Sequence, residues 1–228
     1  MRDGGSVDSF RPKFITFDCY GTLIDFEMAP AARRVYGARL SPEAMDGFCG
    51  DFAAYRLDEV LGAWKPYDEV IGNAVERTCR RWRVPFEPAD AARIYAEIPS
   101  WNPHPDVPDG LARIAGKIPL VILSNSMKDL LPHSVAKLGA PFHATYTAEE
   151  ACAYKPRMQA FEYMFAQLGC GPEEVMHCSG SLRYDLMTAR DLRIGGRVFV
   201  NRGYEPPCAE YGYREIAGIG ELPGLVGL

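Results

Sequence analysis

The sequence predicts an α/β fold, a Rossmann-like parallel sheet core with a helical cap domain inserted after the first strand. Three observations lead there. Phe14 to Phe17 form an apolar run that ends on Asp18, with Gly21 three residues further on. Unbroken apolar runs of this kind belong to strands covered on both faces of a parallel sheet. Residues 27–99 then hold no strand-like run, and from Leu120 onward short apolar runs alternate with helical segments. Such alternation is the pattern of strand–helix–strand units.

The length of 228 residues accommodates one core plus a smaller insertion. Its 47% hydrophobic and 24% charged residues are ordinary for a globular protein. A net charge of −5, with acids and bases interspersed, offers no basic footprint for nucleic acid. No apolar run approaches a membrane span, and Met1 to Pro12 lacks the apolar segment of a signal peptide. The expectation is a cytoplasmic chain with no nucleic-acid or membrane partner. Residues 1–12 form a loose leader, 13–26 and 100–228 the core, and 27–99 the cap.

Each element has its own local reason. Pro30 to Arg39 is helix-compatible. Ser41-Pro42 opens the next helix, with Ser41 as cap and Pro42 at the first helical position, and it runs to Leu61 before Gly62. Tyr67 to Arg83 carries Val70, Ile71, Ala74, Val75, Cys79 and Trp82 at helical spacing, and Pro88 to Ile98 is a fourth helix. The proline-dense stretch from Ile98 to Gly110 reads as a linker. Strands follow at 120–123, 144–146, 175–178 and 198–200, and helices at 128–138, 161–168 and 186–192. The tail from Gly203 to Leu228 reads as loop with a short terminal helix.

Seven cysteines (Cys19, Cys49, Cys79, Cys152, Cys170, Cys178 and Cys208) are odd in number, irregularly spaced and without a Cys-x-x-Cys pair. They form neither a disulfide framework nor a zinc site. Cys19 reads as a nucleophile or as a small buried hydrophobe. The four histidines show no ligand spacing.

Four positions at strand ends can carry chemistry, since open α/β sheets place their sites there. Asp18 is either a nucleophile or an acid capping the next helix. Ser124-Asn125 follows a strand, where a hydroxyl and backbone N–H groups can meet an anion or simply cap a helix. Lys155 precedes Pro156, which keeps it extended at a strand-to-helix junction. Beside Asp18 its ammonium would keep that carboxylate ionised. Ser181 and Asp185 follow the strand ending at Cys178, with Asp185 a positioning acid or a helix-start acid.

The segment Asp18-Cys-Tyr20-Gly-Thr22-Leu resembles the first motif of the haloacid dehalogenase superfamily, in its L-2-haloacid dehalogenase (type II) branch. Ser124-Asn125, Tyr154-Lys155-Pro156 and the Ser181-x-x-x-Asp185 spacing are similar to the other three motifs, and the helical insertion falls where that superfamily carries its cap. The resemblance spans nearly the whole chain. It implies that Asp18, Lys155 and Asp185 are catalytic, and that Arg56 receives halide, with Arg33, Arg34 and Arg39 as competitors. Tyr20, Thr22, Ser124, Asn125 and Ser181 would bind substrate or shape its pocket. Departures from the branch are Gly180 and Leu182, in place of hydroxyl and amide groups, and Phe161 in place of a tyrosine.

Most members of that superfamily are magnesium-dependent phosphatases with a second acid two residues after the nucleophile. Here that position is Tyr20, and the first acid of their fourth motif is missing. An alkoxide must be protonated as it leaves, whereas a halide leaves as a weak base. The resemblance therefore implies hydrolysis of short 2-haloalkanoic acids to 2-hydroxy acids through an aspartyl ester. It implies a small carboxylate as partner, no metal or organic cofactor, and a homodimer. A magnesium-dependent phosphatase and a catalytically idle scaffold are the alternatives.

Overall fold

The computed structural model describes residues 10–228. The expected leader lies, for residues 1–9, outside the described residues. Phe10 to Pro12 are seated on the body: Pro12 is buried, and a Cβ at Gly195 would come within 2.8 Å of the Phe10 ring.

Six parallel strands form one sheet in the order β3-β2-β1-β4-β5-β6. They are β1 (Phe14–Phe17), β2 (Leu120–Ser124), β3 (Ala144–Thr147), β4 (Val175–Ser179), β5 (Gly196–Val200) and β6 (Arg214–Ile216). Every residue of β1, β2 and β4 is buried, because helices cover both faces of the middle of the sheet. The chain extends to one side of β1 through β2 and β3, and to the other through β4 and β5. The end of β1 is therefore the switch point at which open α/β sheets form a crevice.

Between β1 and β2 the chain runs through α1 (Met28–Tyr36), α2 (Pro42–Leu61), α3 (Tyr67–Trp82) and α4 (Pro88–Ala96). The Ser41 hydroxyl accepts from the Ala44 N–H at 3.3 Å, and Pro42 takes the first turn, which explains where α2 begins. Gly47 admits the Trp82 ring, which a Cβ would meet at 2.7 Å, and Trp82 Nε1 donates to Asp51 at 2.8 Å. The two connections to this helical layer run side by side. The Asp25 N–H donates to Asn102 O at 2.9 Å, and the His104 N–H to Leu23 O at 3.0 Å. Trp101 is buried between them, edge-on to Tyr20 and Phe26. One hydrophobic cluster continues from Ile15 and Phe17 through Trp101 to Phe48 and Val75.

The second half adds α5 (Val107–Ala112), α6 (Leu131–Val135), α7 (Ala148–Ala151), α8 (Met158–Leu168), α9 (Met187–Asp191) and α10 (Leu222–Leu225). Several elements differ from expectation. The end of the proline-dense linker is α5, with Pro108 in its first turn, where a missing N–H costs nothing. The helix expected at 128–138 is regular only from Leu131 to Val135, with Pro132 in its first turn. The short α7 follows β3 because Thr147 and Glu150 cap it reciprocally. The helix expected from 186 is preceded by a wide turn at Leu182–Leu186. The tail contributes β6, a three-residue edge strand too short to show a period. No helix of the described residues is long and apolar enough to cross a membrane.

Candidate active site

Asp18 stands one residue beyond β1, with its N–H donating to Cys178 O at 3.1 Å. The chain then turns back on itself, and the Cys19 carbonyl accepts from the N–H groups of Leu23 and Ile24 at 2.8 and 2.9 Å. Gly21 has φ +91°, a conformation open to glycine at little cost. This turn aims the Thr22 hydroxyl back at the carboxylate, where it donates to Asp18 Oδ2 at 2.6 Å. The Cys19 side chain points into the core instead. Burial and the neighbouring Asp18 push its thiol up, which leaves it an apolar filler.

Lys155, from the loop after α7, reaches the same carboxylate. Its ammonium has three protons to donate, and each has an acceptor: Asp18 Oδ1 at 2.9 Å, Asp185 Oδ1 at 2.7 Å and Leu123 O at 2.8 Å. The lysine is 1% exposed. Burial alone would lower its pKa, but the two carboxylates outweigh burial and raise it, so it is a fixed cation. Asn125 holds its backbone: Nδ2 donates to Lys155 O at 2.9 Å, and Oδ1 accepts the Lys155 N–H at 2.7 Å.

Asp185, fully buried, also accepts from His177 Nε2 at 2.8 Å, and His177 Nδ1 lies 2.8 Å from the Thr16 hydroxyl. The β1–β4 register sets Thr16 opposite His177, so this contact follows from strand pairing. Burial pushes the Asp185 carboxyl up, but Lys155 and His177 more than offset it and hold it below the usual range. For Asp18 the balance is reversed. Burial prevails over Lys155 and Thr22, helped by the charge of Asp185, and its carboxyl is raised. The second oxygen of Asp185, Oδ2, is buried without a partner.

A cavity of about 720 Å³ opens in front of Asp18. Of the residues singled out in the sequence, Asp18, Tyr20, Asn125, Lys155, Ser181, Asp185 and Arg56 line it. Thr22 stands behind Asp18. Ser124 is not among the lining residues: it is buried, and its hydroxyl has no partner. Ser181 donates its hydroxyl to Glu205 at 2.7 Å and accepts from the Tyr184 N–H, so it shapes the wall. Tyr20 accepts from the Ser134 hydroxyl at 3.0 Å, and burial pushes its phenol well up.

Arg56, from α2, is buried, with its guanidinium carbon 5.1 Å from the Phe26 ring centre and 5.0 Å from that of Phe52. It has no hydrogen-bonding or ion-pair partner among the described residues, and its Nε is buried unpaired. Its competitors are committed elsewhere: Arg33 to Asp46, Arg34 to Glu97, and Arg39 to Asp90 at 2.7 Å. An unpaired buried guanidinium facing a cavity could hold an anion.

The departures from the family pattern also have physical reasons. A Cβ at Gly180 would lie 2.2 Å from the Gly21 carbonyl oxygen, and the Gly180 N–H donates to the Thr22 hydroxyl at 2.8 Å. Leu182 packs with Leu186 and Phe199. Phe161 lies edge-on to the His177 imidazole, 5.2 Å between centroids, and does not reach the cavity.

Three residues of the site were not anticipated. His177 carried a signal, since a polar side chain in the middle of a buried strand must find a partner. Glu205 accepts from Ser181 Oγ and from the Leu182 and Arg183 N–H groups. Arg202 donates to Thr22 O at 3.0 and 3.1 Å and pairs with Asp106 at 2.7 Å. Glu205 lies in the Gly- and Pro-bearing tail and Arg202 immediately before it, where nothing local marks them.

A family described as haloacid dehalogenase-like hydrolases matches residues 12–192. The chain is 25% identical to an (S)-2-haloacid dehalogenase of Xanthobacter autotrophicus, over 94% of each chain. It is also 25% identical to (S)-2-haloacid dehalogenase 4A of Burkholderia cepacia, over 90% of this chain and 89% of that one. A solved dehalogenase with an intermediate complex superposes with a TM-score of 0.80 at 21% identity, covering 98% of this chain and 100% of that one. With a matching fold and a matching stretch of more than three-quarters of its length, the chain belongs to the haloacid dehalogenase-like hydrolases.

Proposed function

We propose that this hydrolase removes halide from 2-haloalkanoic acids, with Asp18 as nucleophile. The observation that carries the reading is the setting of Asp18: a lysine and a threonine on its two oxygens, and a tyrosine where a phosphatase needs an acid. The burial-raised phenol of Tyr20 is a poor proton donor, so an alkoxide or phosphate-ester leaving group would depart unassisted.

In the first step an Asp18 oxygen attacks the carbon bearing the halogen from the side opposite the halide. The carbon–halogen bond breaks with its electron pair, and an ester joins Asp18 to the substrate carbon. Arg56 is the cation that receives the halide, and its desolvated position between two rings strengthens that attraction. In the second step water attacks the Asp18 carboxyl carbon. Charge then builds on the carboxyl oxygens, beside the Lys155 ammonium and the Thr22 hydroxyl. Asp185 acts through Lys155, whose ammonium it holds beside Asp18. The carboxyl–oxygen bond breaks with its electron pair, the departing alkoxide takes one of the two protons of the attacking water and the other is released to solvent, so that the 2-hydroxy acid leaves and Asp18 is restored as a carboxylate.

Magnesium, which the superfamily's phosphatases use, fits these residues poorly. Lys155 already bridges Asp18 and Asp185, Gly180 supplies no further acid, and among the described residues no group of three His, Cys, Asp or Glu side chains could hold a metal ion. Halide release from 2-chloropropionate that survives chelation and is lost in Asp18→Asn supports the reading. Magnesium-dependent phosphate release from an aryl phosphate, without halide release, overturns it, and inertness toward both leaves the idle scaffold. On this reading residues 27–99 act as the cap, bringing Arg56 over the strand ends.

A further inference from the structure

The cavity in front of Asp18 is far larger than a short 2-haloacid. At about 720 Å³ it falls in the upper part of the range, about 300–1,000 Å³, that encloses drug-sized ligands. A three-carbon haloacid, with about six non-hydrogen atoms, displaces only a handful of waters at ~30 Å³ each. Most of the cavity would stay wet around it, and Asp18 would keep part of its hydration shell. The two walls also differ in character. The strand-end wall carries Asp18, Lys155 and Asn125, whereas α2 presents Gly50, Ala53, Ala54 and Leu57, spaced along one helical face. A Cβ at Gly50 would meet nothing within 4 Å, so the space beside α2 is open. Phe26, Phe52 and Tyr67 add aromatic surface to the lining.

We infer that the substrate is a 2-halo acid whose halogen-bearing carbon carries a bulky apolar group, alkyl or aryl, that lies along this face of α2. The inference rests on the dehalogenase reading and adds the size of the substituent. Filling the cavity buries apolar surface and strips water from Asp18. Each methylene added beyond 2-chloropropionate, up to the limit of the cavity, therefore raises kcat/KM about fourfold.

The test measures halide release from 2-chloropropionate, 2-chlorohexanoate and 2-chloro-2-phenylacetate, with wild type and with Gly50→Leu. Leucine at an exposed helical position improves helix propensity, and circular dichroism confirms that the variant is folded. The expected result is a clear preference of the wild type for the two larger acids, with the large-to-small ratio falling about tenfold or more in Gly50→Leu. A wild type fastest on 2-chloropropionate, or a ratio unmoved by Gly50→Leu, overturns the inference and leaves the dehalogenase reading intact. If no acid releases halide, the dehalogenase reading falls, and calorimetry on Asp18→Asn decides the shape of the pocket. Tighter binding of hexanoate and phenylacetate than of propionate upholds a site for bulky acids, and equal or weaker binding overturns it.

Discussion

Gly180 and Gly21 meet backbone to backbone, so that a Cβ on Gly180 would lie 2.2 Å from the Gly21 carbonyl oxygen. The loop after β4 is thereby pressed against the turn that carries Asp18 and Thr22. Gly180→Ser would restore the hydroxyl of related dehalogenases, yet it should fail here because backbone, not a flexible side chain, stands in the way. The expected cost is about 1–3 kcal/mol of stability, with weaker turnover because the Gly180 N–H loses its bond to Thr22. Denaturant unfolding and kcat together check this, and an unchanged variant would show that the two loops can part freely.

Lys155→Ala removes the cation from between two buried carboxylates. Breaking a buried pair from one side typically costs about 3–5 kcal/mol, and the freed acid–acid repulsion should push Asp18 further up. Urea unfolding should shift by that amount, and the acidic limb of the pH–rate profile should move to higher pH. A variant that loses activity with no loss of stability would contradict the pairing described here.

The two carboxylates predict separate responses to acid. Asp18 is raised by burial, so its ionised fraction declines as pH falls through a value above the ordinary carboxylate range near about 4. Asp185 is lowered, so the stability it contributes is complete above its unfolded pKa and is lost only as pH falls through its lower folded value. Activity should therefore disappear at a pH at which the protein is still folded. Parallel pH profiles of kcat/KM and of far-ultraviolet circular dichroism test the order, and coincident transitions would refute it.

Arg56→Met should separate function from stability. The guanidinium is buried without a partner, so an apolar replacement of similar length leaves stability unchanged or higher. If the arginine receives the halide, kcat/KM falls on the order of a hundredfold, as when one preorganised transition-state donor is removed. Thermal unfolding and halide-release kinetics give both signs. A destabilised but fully active variant would make Arg56 a structural residue.

How far the site could be read in advance depended on how local its signals are. Asp18 directly follows a strand and Lys155 precedes a proline, so their placement was legible from neighbours in the chain, whereas Asp185, six residues past β4, was marked only by its spacing from Ser181. Arg56 could be preferred over Arg33, Arg34 and Arg39 only by resemblance, because ion pairing depends on acids as distant as Glu97. Ser124 looked ready for an anion from its strand-end position, but its place away from the cavity follows from side-chain direction, which chain position does not reveal. Asn125 serves the Lys155 backbone thirty residues away. The strands in the middle of the sheet were legible from composition, whereas β6 gains its pairing from β5 alone and α7 from one reciprocal cap.

Esterification of Asp18 during turnover, which the proposed mechanism requires, can be read from a single turnover in heavy-oxygen water with enzyme in excess. The label should enter the peptide containing Asp18, and the first 2-hydroxy acid released should carry an unlabelled oxygen taken from Asp18. Label appearing in the first product, with none in that peptide, would mean that water attacks the substrate carbon directly and that Asp18 is not the nucleophile.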